Sequence, residues 1–299
     1  MMRAFLWASI VAAGSVVAYL IIGYVVAARL SAPIRQPVER TPADVGLNYQ
    51  EVVVRSSDGR SLSAWWIEKV GSSRAVVLVH GWAGDMSDLH VVETALVYHK
   101  AGFNVLMLDL RAHGGSDGDR VTLGYREVRD VRGALSWLEK QGFDPENVVL
   151  HGWSMGGAAV VQAAPGTGVA AVVEEAAYAD LPPLLWERLP EASGLRAFFT
   201  PGIFLMGRLI LGIDPWAVRP EEEAGWLSRE GVPFMIIHSP DDEVIPFEHA
   251  ESFAAAYPEA TFWKIEGYEH VAAHEHPNYR ERLLNFLDEA GISTPENGG

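Results

Sequence analysis

Ser154 stands at the centre of the pattern in this chain that most readily does chemistry. His151 to Gly157 reads HGWSMGG, with Gly152 and Gly156 two positions either side of the serine. An apolar run, Val148 to Gly152, leads into it, and a helical one, Gly157 to Ala164, leads out. A sharp strand-to-helix turn leaves no room for side chains at those two glycines and aims the hydroxyl at the positive end of the helix. A serine hydroxyl is a weak nucleophile until a base takes its proton, and the base needs a carboxylate to fix its ring. Candidates for both follow. Phe234 to Pro246, FMIIHSPDDEVIP, is an apolar strand ending in a loop with Asp241 and Asp242. Thr261 to His270, TFWKIEGYEH, is another strand, its loop ending in His270; His274 and His276 lie further on, against a terminal helix expected over Pro277 to Ala290, where surface positions are expected for them. Such a set suits attack of a serine on an acyl carbon. The N–H of Met155, the residue after the nucleophile, is placed to hold the charge that develops on the carbonyl oxygen.

The elements that must position these groups can be read from periodicity. Eight β-rich runs occur: Glu51 to Arg55, Leu62 to Ile67, Ala75 to His80, Phe103 to Asp109, Val148 to Gly152, Val169 to Glu174, Phe234 to His238 and Thr261 to Ile265. The first two flank Asp58 and Gly59 and predict an antiparallel hairpin. Later runs such as AVVLVH and FNVLML are apolar throughout, as parallel strands covered on both faces are. Tyr125 to Lys140, with Val128, Val131, Leu135 and Leu138 at spacings of three and four, predicts one of the covering helices. About sixty residues separate the sixth and seventh strands, too many for a simple crossover, and imply a cap inserted over residues 181–230. Its apolar stretch Ile203 to Ile213 is too short to span a membrane and suits either packing on the core or guiding an acyl chain.

Ala4 to Ala28 is an uncharged run of 25 residues between Arg3 and Arg29. That exceeds the roughly 7 to 15 apolar residues of a signal-peptide core, so residues 4–28 are expected to be a retained transmembrane helix. Arg29, Arg35 and Arg40 outnumber Arg3 and favour a cytoplasmic catalytic domain, yet long domains translocate despite such a bias, and the side of the membrane stays open. Pro33, Pro37 and Pro42 make residues 29–46 an extended linker, with a folded domain expected over 47–290 and a flexible tail over 291–299. Residues 1–44 carry four Arg against Glu39 and Asp44, which leaves −18 of the total charge of −16 to the rest. An acidic body argues against nucleic acid as a partner and against a polybasic grip on lipid. With no cysteine, disulfides, thiolate metal sites and a cysteine nucleophile are excluded.

Two further loops carry a resemblance. His80 to Gly84, HGWAG, follows the third strand, and Asp109 to Ser116, DLRAHGGS, the fourth. Together with GWSMG and HSPDDEVIP, they resemble the α/β-hydrolase superfamily over about residues 50 to 290. Within it the chain is similar to serine aminopeptidase-like and monoacylglycerol-lipase-like hydrolases and to small membrane-anchored bacterial members. The resemblance implies an α/β-hydrolase fold: a mostly parallel eight-stranded sheet with a helical cap, here preceded by one transmembrane helix. It implies a catalytic triad of Ser154, Asp242 and His270, and an oxyanion hole from the N–H groups of Trp82 and Met155. Asp242 is preferred to its neighbour Asp241 because it keeps the family's three-residue gap from His238, although Ser239 stands where glycine is usual. His80 and His113 are implied to be structural loop residues. The expected activity is hydrolysis of a small-molecule carboxylic ester without metal or cofactor. Amide or peptide hydrolysis by the same residues is the enzymatic alternative, and a catalytically silent membrane-tethered binding module the non-enzymatic one.

Overall fold

The computed structural model describes residues 1–292 and divides them into two compact units, residues 1–32 with 181–218, and residues 33–180 with 219–292.

The first unit contains α1 (Met2–Leu30), α5 (Leu181–Ser193), α6 (Thr200–Met206) and a π-helical turn, Gly207–Leu211. Among the described residues, α1 alone is long and apolar enough to cross a membrane. Ala27, Leu189, Ile203 and Phe204 form the small core of this unit.

The second unit is an eight-stranded sheet in the order β1-β2-β4-β3-β5-β6-β7-β8. The strands are β1 (Gln50–Arg55), β2 (Ser61–Ile67), β3 (Ala75–Val79), β4 (Asn104–Leu108), β5 (Val148–Trp153), β6 (Ala171–Glu175), β7 (Phe234–His238) and β8 (Thr261–Lys264). β1 and β2 form the expected antiparallel hairpin, β2 also pairs antiparallel with β4, and the other pairings are parallel. Strands β3 to β7 are buried along their whole length, which is why their sequences are apolar on both faces rather than alternating. The covering helices are α2 (Leu89–Lys100), α3 (Val128–Lys140), α4 (Met155–Ala163), α7 (Pro220–Glu230), α8 (Glu248–Ala256) and α9 (Tyr279–Glu289). In α3 the buried residues Val131, Ala134, Leu135 and Leu138 form one stripe, the spacing that an amphipathic helix requires.

Several boundaries differ from the sequence reading. α7 was expected within the cap, but it groups with the sheet, burying Ala224 and Leu227, so the cap unit ends at Val218. Within the extended linker expected over 29–46, residues 29 and 30 end α1 and residues 33–46 form a strap bound to the sheet unit. The Ile34 N–H donates to the Ala112 carbonyl at 2.8 Å, and the Arg35 guanidinium donates to the carbonyls of Gly114 at 2.6 Å and Ser116 at 2.7 Å. Thr41 and Asp44 close a capping box on the turn Pro42–Val45. Of the tail expected over 291–299, residues 293–299 lie outside the described residues, whereas Ile292 is buried and its N–H donates to the Leu287 carbonyl at 2.9 Å.

Candidate active site

Ser154 sits between the last residue of β5 and the first of α4, with φ 52° and ψ −118°, a backbone conformation that side chains rarely adopt. The flanking glycines are forced by contact. A Cβ on Gly156 would overlap the carbonyl oxygens of Val79 and His80, and one on Gly152 would overlap the backbone of Gly156 and Gly157. Gly81 lies against the serine, since a Cβ there would stand 3.2 Å from Ser154 Cβ. The loop after β3, with Trp82 half-exposed at its start, therefore runs beside the nucleophile position. Met155 is buried and opens α4, so its N–H is one of the first-turn groups that a helix cannot satisfy internally.

Beyond β7, Asp242 is fully tied down. Its Oδ1 accepts the N–H groups of Val244 at 2.8 Å and Ile245 at 2.9 Å, and its Oδ2 lies 2.7 Å from His270 Nδ1. Burial pushes this carboxyl up, but the His270 hydrogen bond and the two backbone donors outweigh it and hold it below the usual aspartate value. Asp241 does something different: its Oδ2 accepts the Gly267 N–H at 2.7 Å, bracing the loop that carries His270. Thus the structure joins Asp242 to His270, and sets Ser154 beside the Gly81–Trp82 loop. Among the described residues, the Ser154 hydroxyl makes no hydrogen bond, and the serine and histidine are linked only through their surroundings.

Glu175 supplies that link, and the sequence reading missed it by ending the sixth strand at Glu174. The Glu175 carbonyl accepts the Ser154 N–H at 2.8 Å. Its carboxylate is buried; Oε2 accepts the Trp153 indole N–H and Oε1 the Ala273 N–H, both at 3.0 Å. Burial pushes the carboxyl up to about 7 against the pull of those two donors. The available signal was a pair of adjacent glutamates closing an otherwise apolar buried run. Positive φ also marks this edge of the sheet. Ala83, Ala112, Ser154, Ala176 and Val271 have φ between 52° and 62° in the loops after β3, β4, β5, β6 and β8. Backbone strain concentrated at one set of strand ends is what a preorganised site requires.

The other histidines that the sequence singled out are held by structural contacts. His80 Nε2 accepts the Leu110 N–H at 3.0 Å and its Nδ1 donates to the Gly81 carbonyl at 2.7 Å; burial lowers its pKa to about 4. His113 Nδ1 donates to the Arg111 carbonyl at 2.9 Å. His274 and His276, expected at the surface, are instead half-buried: both His274 ring nitrogens are shielded, and the His276 ring packs edge-on against Trp263 with centroids 5.3 Å apart. Asp109 ties two loops together, accepting the N–H groups of Met86 and Gly115, each at 2.9 Å. No cluster of three or more metal-ligating side chains occurs among the described residues.

Comparison with known proteins gives a consistent picture. Residues 76–280 match the model of the alpha/beta hydrolase family. An uncharacterized protein of Mycobacterium tuberculosis is 29% identical over 213 residues, 70% of this chain and 68% of that protein. A lysophosphatidylserine lipase of Macaca fascicularis is 26% identical over 283 residues, 87% of this chain and 67% of the lipase. Among solved structures, an esterase of Pyrococcus furiosus superposes with a TM-score of 0.70 at 22% identity, covering 86% of this chain and 98% of the esterase.

Proposed function

The chain belongs to the alpha/beta hydrolase family, and from that premise we propose that it cleaves carboxylic esters through an acyl-enzyme, with Ser154, Asp242 and His270 as its triad. The observation that carries this reading is the 2.7 Å contact between Asp242 Oδ2 and His270 Nδ1. It fixes the Nδ1 proton and leaves the Nε2 lone pair as the base. Ser154 Oγ attacks the ester carbonyl as Nε2 takes its proton, and the N–H groups of Trp82 and Met155 hold the oxyanion. Collapse of the intermediate expels the alcohol, which leaves with that proton. Water, deprotonated by the same nitrogen, then attacks the acyl carbon; the acid departs and Ser154 regains its hydrogen. Nothing but substrate and water is consumed.

The similarity to a lysophosphatidylserine lipase supports an ester bond, and an acyl lipid, as the substrate class. α1 serves in this reading as a retained single-pass anchor, supported by its 29 residues and exposed apolar surface. Fluorophosphonate labelling of the full chain, read by peptide mass, tests the nucleophile: modification at Ser154 is expected, and an unmodified serine overturns the assignment. Matched p-nitrophenyl ester and p-nitroanilide substrates separate ester from amide cleavage. For the anchor, resistance to alkaline carbonate extraction with an intact N-terminus is expected, and a chain cleaved after the apolar run overturns it.

A further inference from the structure

α1 does not stand alone. Its residues Tyr19, Gly23 and Ala27, one on each successive turn, face the cap segment that begins at Ala197. A Cβ on Gly23 would lie 2.6 Å from the carbonyl carbon of Gly202, and one on Gly202 would lie 2.6 Å from the Tyr19 ring. Backbones approach this closely only where both helices present glycine, the packing that membrane helices use in place of a hydrophobic drive. Further along, a Cβ on Gly207 would meet Ala27 Cβ at 3.9 Å. α6 and the turn after it therefore run in the same direction as α1, with the α6 N-terminus nearest Tyr19.

Depth follows from helix geometry. Taking Val16 as the midpoint of the uncharged run, Tyr19, Gly23 and Ala27 lie about 4.5, 10.5 and 16.5 Å from it along the axis. The half-thickness of a hydrocarbon core is about 15 Å, so Tyr19 and Gly23 fall within it and Ala27 at its boundary. A helix that starts at that depth has N–H groups no water can reach, each costly if left unpaired. Tyr19 meets that demand. Its hydroxyl accepts the Gly202 N–H at 2.9 Å and donates to the Phe198 carbonyl at 3.0 Å, while Pro201, in the same turn, has no N–H to satisfy. The side chains agree with the backbone. Ala197 to Gly207 carries no charge, and Arg208, one residue past the Gly207 that faces Ala27, stands at the boundary with its head within reach of the interface. Phe198, Leu205, Leu209 and Ile210 are exposed, with Phe198 at 72%. Trp186 and Trp216, both about half-exposed, flank Phe204 with ring centroids at 5.5 and 5.0 Å, the residue type that favours the membrane interface.

We propose that the cap segment 197–211 is itself seated in the bilayer, a re-entrant element zipped to the anchor through Tyr19, Gly23 and Ala27, with Phe198 and Leu205 against lipid acyl chains and Leu209 and Ile210 at the hydrocarbon boundary. This rests on the reading of α1 as a membrane anchor. Because the chain has no cysteine, single cysteines introduced into the full-length protein carry a fluorophore without background. The variants Leu205→Cys, Leu209→Cys, Val16→Cys and Val70→Cys, labelled with a nitrobenzoxadiazole and reconstituted in phosphatidylcholine vesicles containing doxyl-labelled phosphatidylcholine, report lipid contact by quenching. Positions 205 and 209 are expected to be quenched at least half as strongly as position 16, with position 70 unquenched. Quenching at position 16 without quenching at 205 and 209 overturns the seated cap and leaves the anchor standing. No quenching at position 16 overturns the anchor, and the proposal with it. Adding Gly202→Leu is expected to halve the signal at 205 and 209 without changing position 16, and an unchanged signal overturns the role of the zipper.

Discussion

The carboxylate of Glu175 accepts the backbone N–H of Ala273 at 3.0 Å, three residues past His270, and the indole N–H of Trp153, one residue before Ser154, at the same distance. One buried side chain thus holds both the turn that carries the serine and the loop that carries the histidine. Both neighbours are donors, so only a group with two acceptor oxygens suits the position. Glu175→Gln must present an amide N–H to one of them, and a buried donor left unpaired costs about 1–3 kcal/mol. A lower melting temperature is expected, with a fall in kcat that exceeds any change in KM. Between pH 4.5 and about 7 the unfolded chain has released this proton while the folded chain keeps it. Stability therefore falls as pH rises through that window and levels off above it. Thermal melts from pH 4 to 8 should show that slope in the native chain and a shallower one in Glu175→Gln. Equal slopes, or a Gln variant as stable as the native chain, would remove the bridging role.

At Ser154 the hydroxyl and the backbone make separable contributions. Ser154→Ala is expected to abolish fluorophosphonate labelling and to lower ester turnover by about a thousandfold or more. Its fold is retained, because the φ of 52° remains held by the Ser154 N–H to Glu175 carbonyl bond. Ser154→Gly is equally inactive but free of the strain that a Cβ suffers there. It should melt higher than Ser154→Ala by an amount equivalent to about 1 kcal/mol. Turnover like the native chain in either variant would remove Ser154 from the mechanism.

The adjacent pair Asp241 and Asp242 offers an internal control. Asp242→Asn keeps an oxygen for Val244 and Ile245 but presents an amide to His270 Nδ1, which selects the wrong tautomer. Turnover is expected to fall by about 10⁴-fold. Asp241→Asn still accepts the Gly267 N–H through its amide oxygen and should change turnover less than about twofold. Steady-state kinetics on one ester ranks the two, and the reverse order would show that Asp241 is the acid.

Much of the fold was legible because its strands are apolar on both faces, a pattern that survives without partners in view. The nucleophile turn was legible for a related reason: Gly152 and Gly156 are fixed by local backbone contacts, so the chemistry leaves a local signature. What escaped depends on distant pairings. The Tyr19 hydroxyl meets a helix 183 residues away at Gly202, and nothing in either segment announces the other. Glu175 fell one residue beyond the expected strand end, where a second glutamate looks like solvent-facing polarity rather than a buried bridge. The strap was hidden by its prolines, which argue for an extended chain and say nothing of what Arg35 grasps. His274 looked exposed because it lies close to a helix start, yet its ring nitrogens are enclosed.

The strap and the seam together revise what a shortened protein should do. A chain starting at Leu47 retains every candidate catalytic residue, and on sequence grounds would be soluble and active on short esters. It also loses Ile34 and Arg35, whose bonds reach the carbonyls of Ala112, Gly114 and Ser116 on the loop after β4. A chain starting at Pro33 keeps them. Because the Arg35 side chain is largely solvent-exposed, the loss is worth about 1 kcal/mol, and the Leu47 chain should melt several degrees below the Pro33 chain. Arg35→Ala in the full chain should reproduce part of that difference without touching α1, since it removes the Gly114 and Ser116 contacts and keeps the Ile34 bond to Ala112. Both shortened chains leave the Gly202 N–H without its tyrosine and uncover Ile203 and Phe199, so both are expected to need detergent despite lacking the anchor. Size-exclusion chromatography with and without detergent reads this directly. A monodisperse, detergent-free Leu47 chain that melts with the Pro33 chain would show that neither the strap nor the seam carries the weight assigned to it.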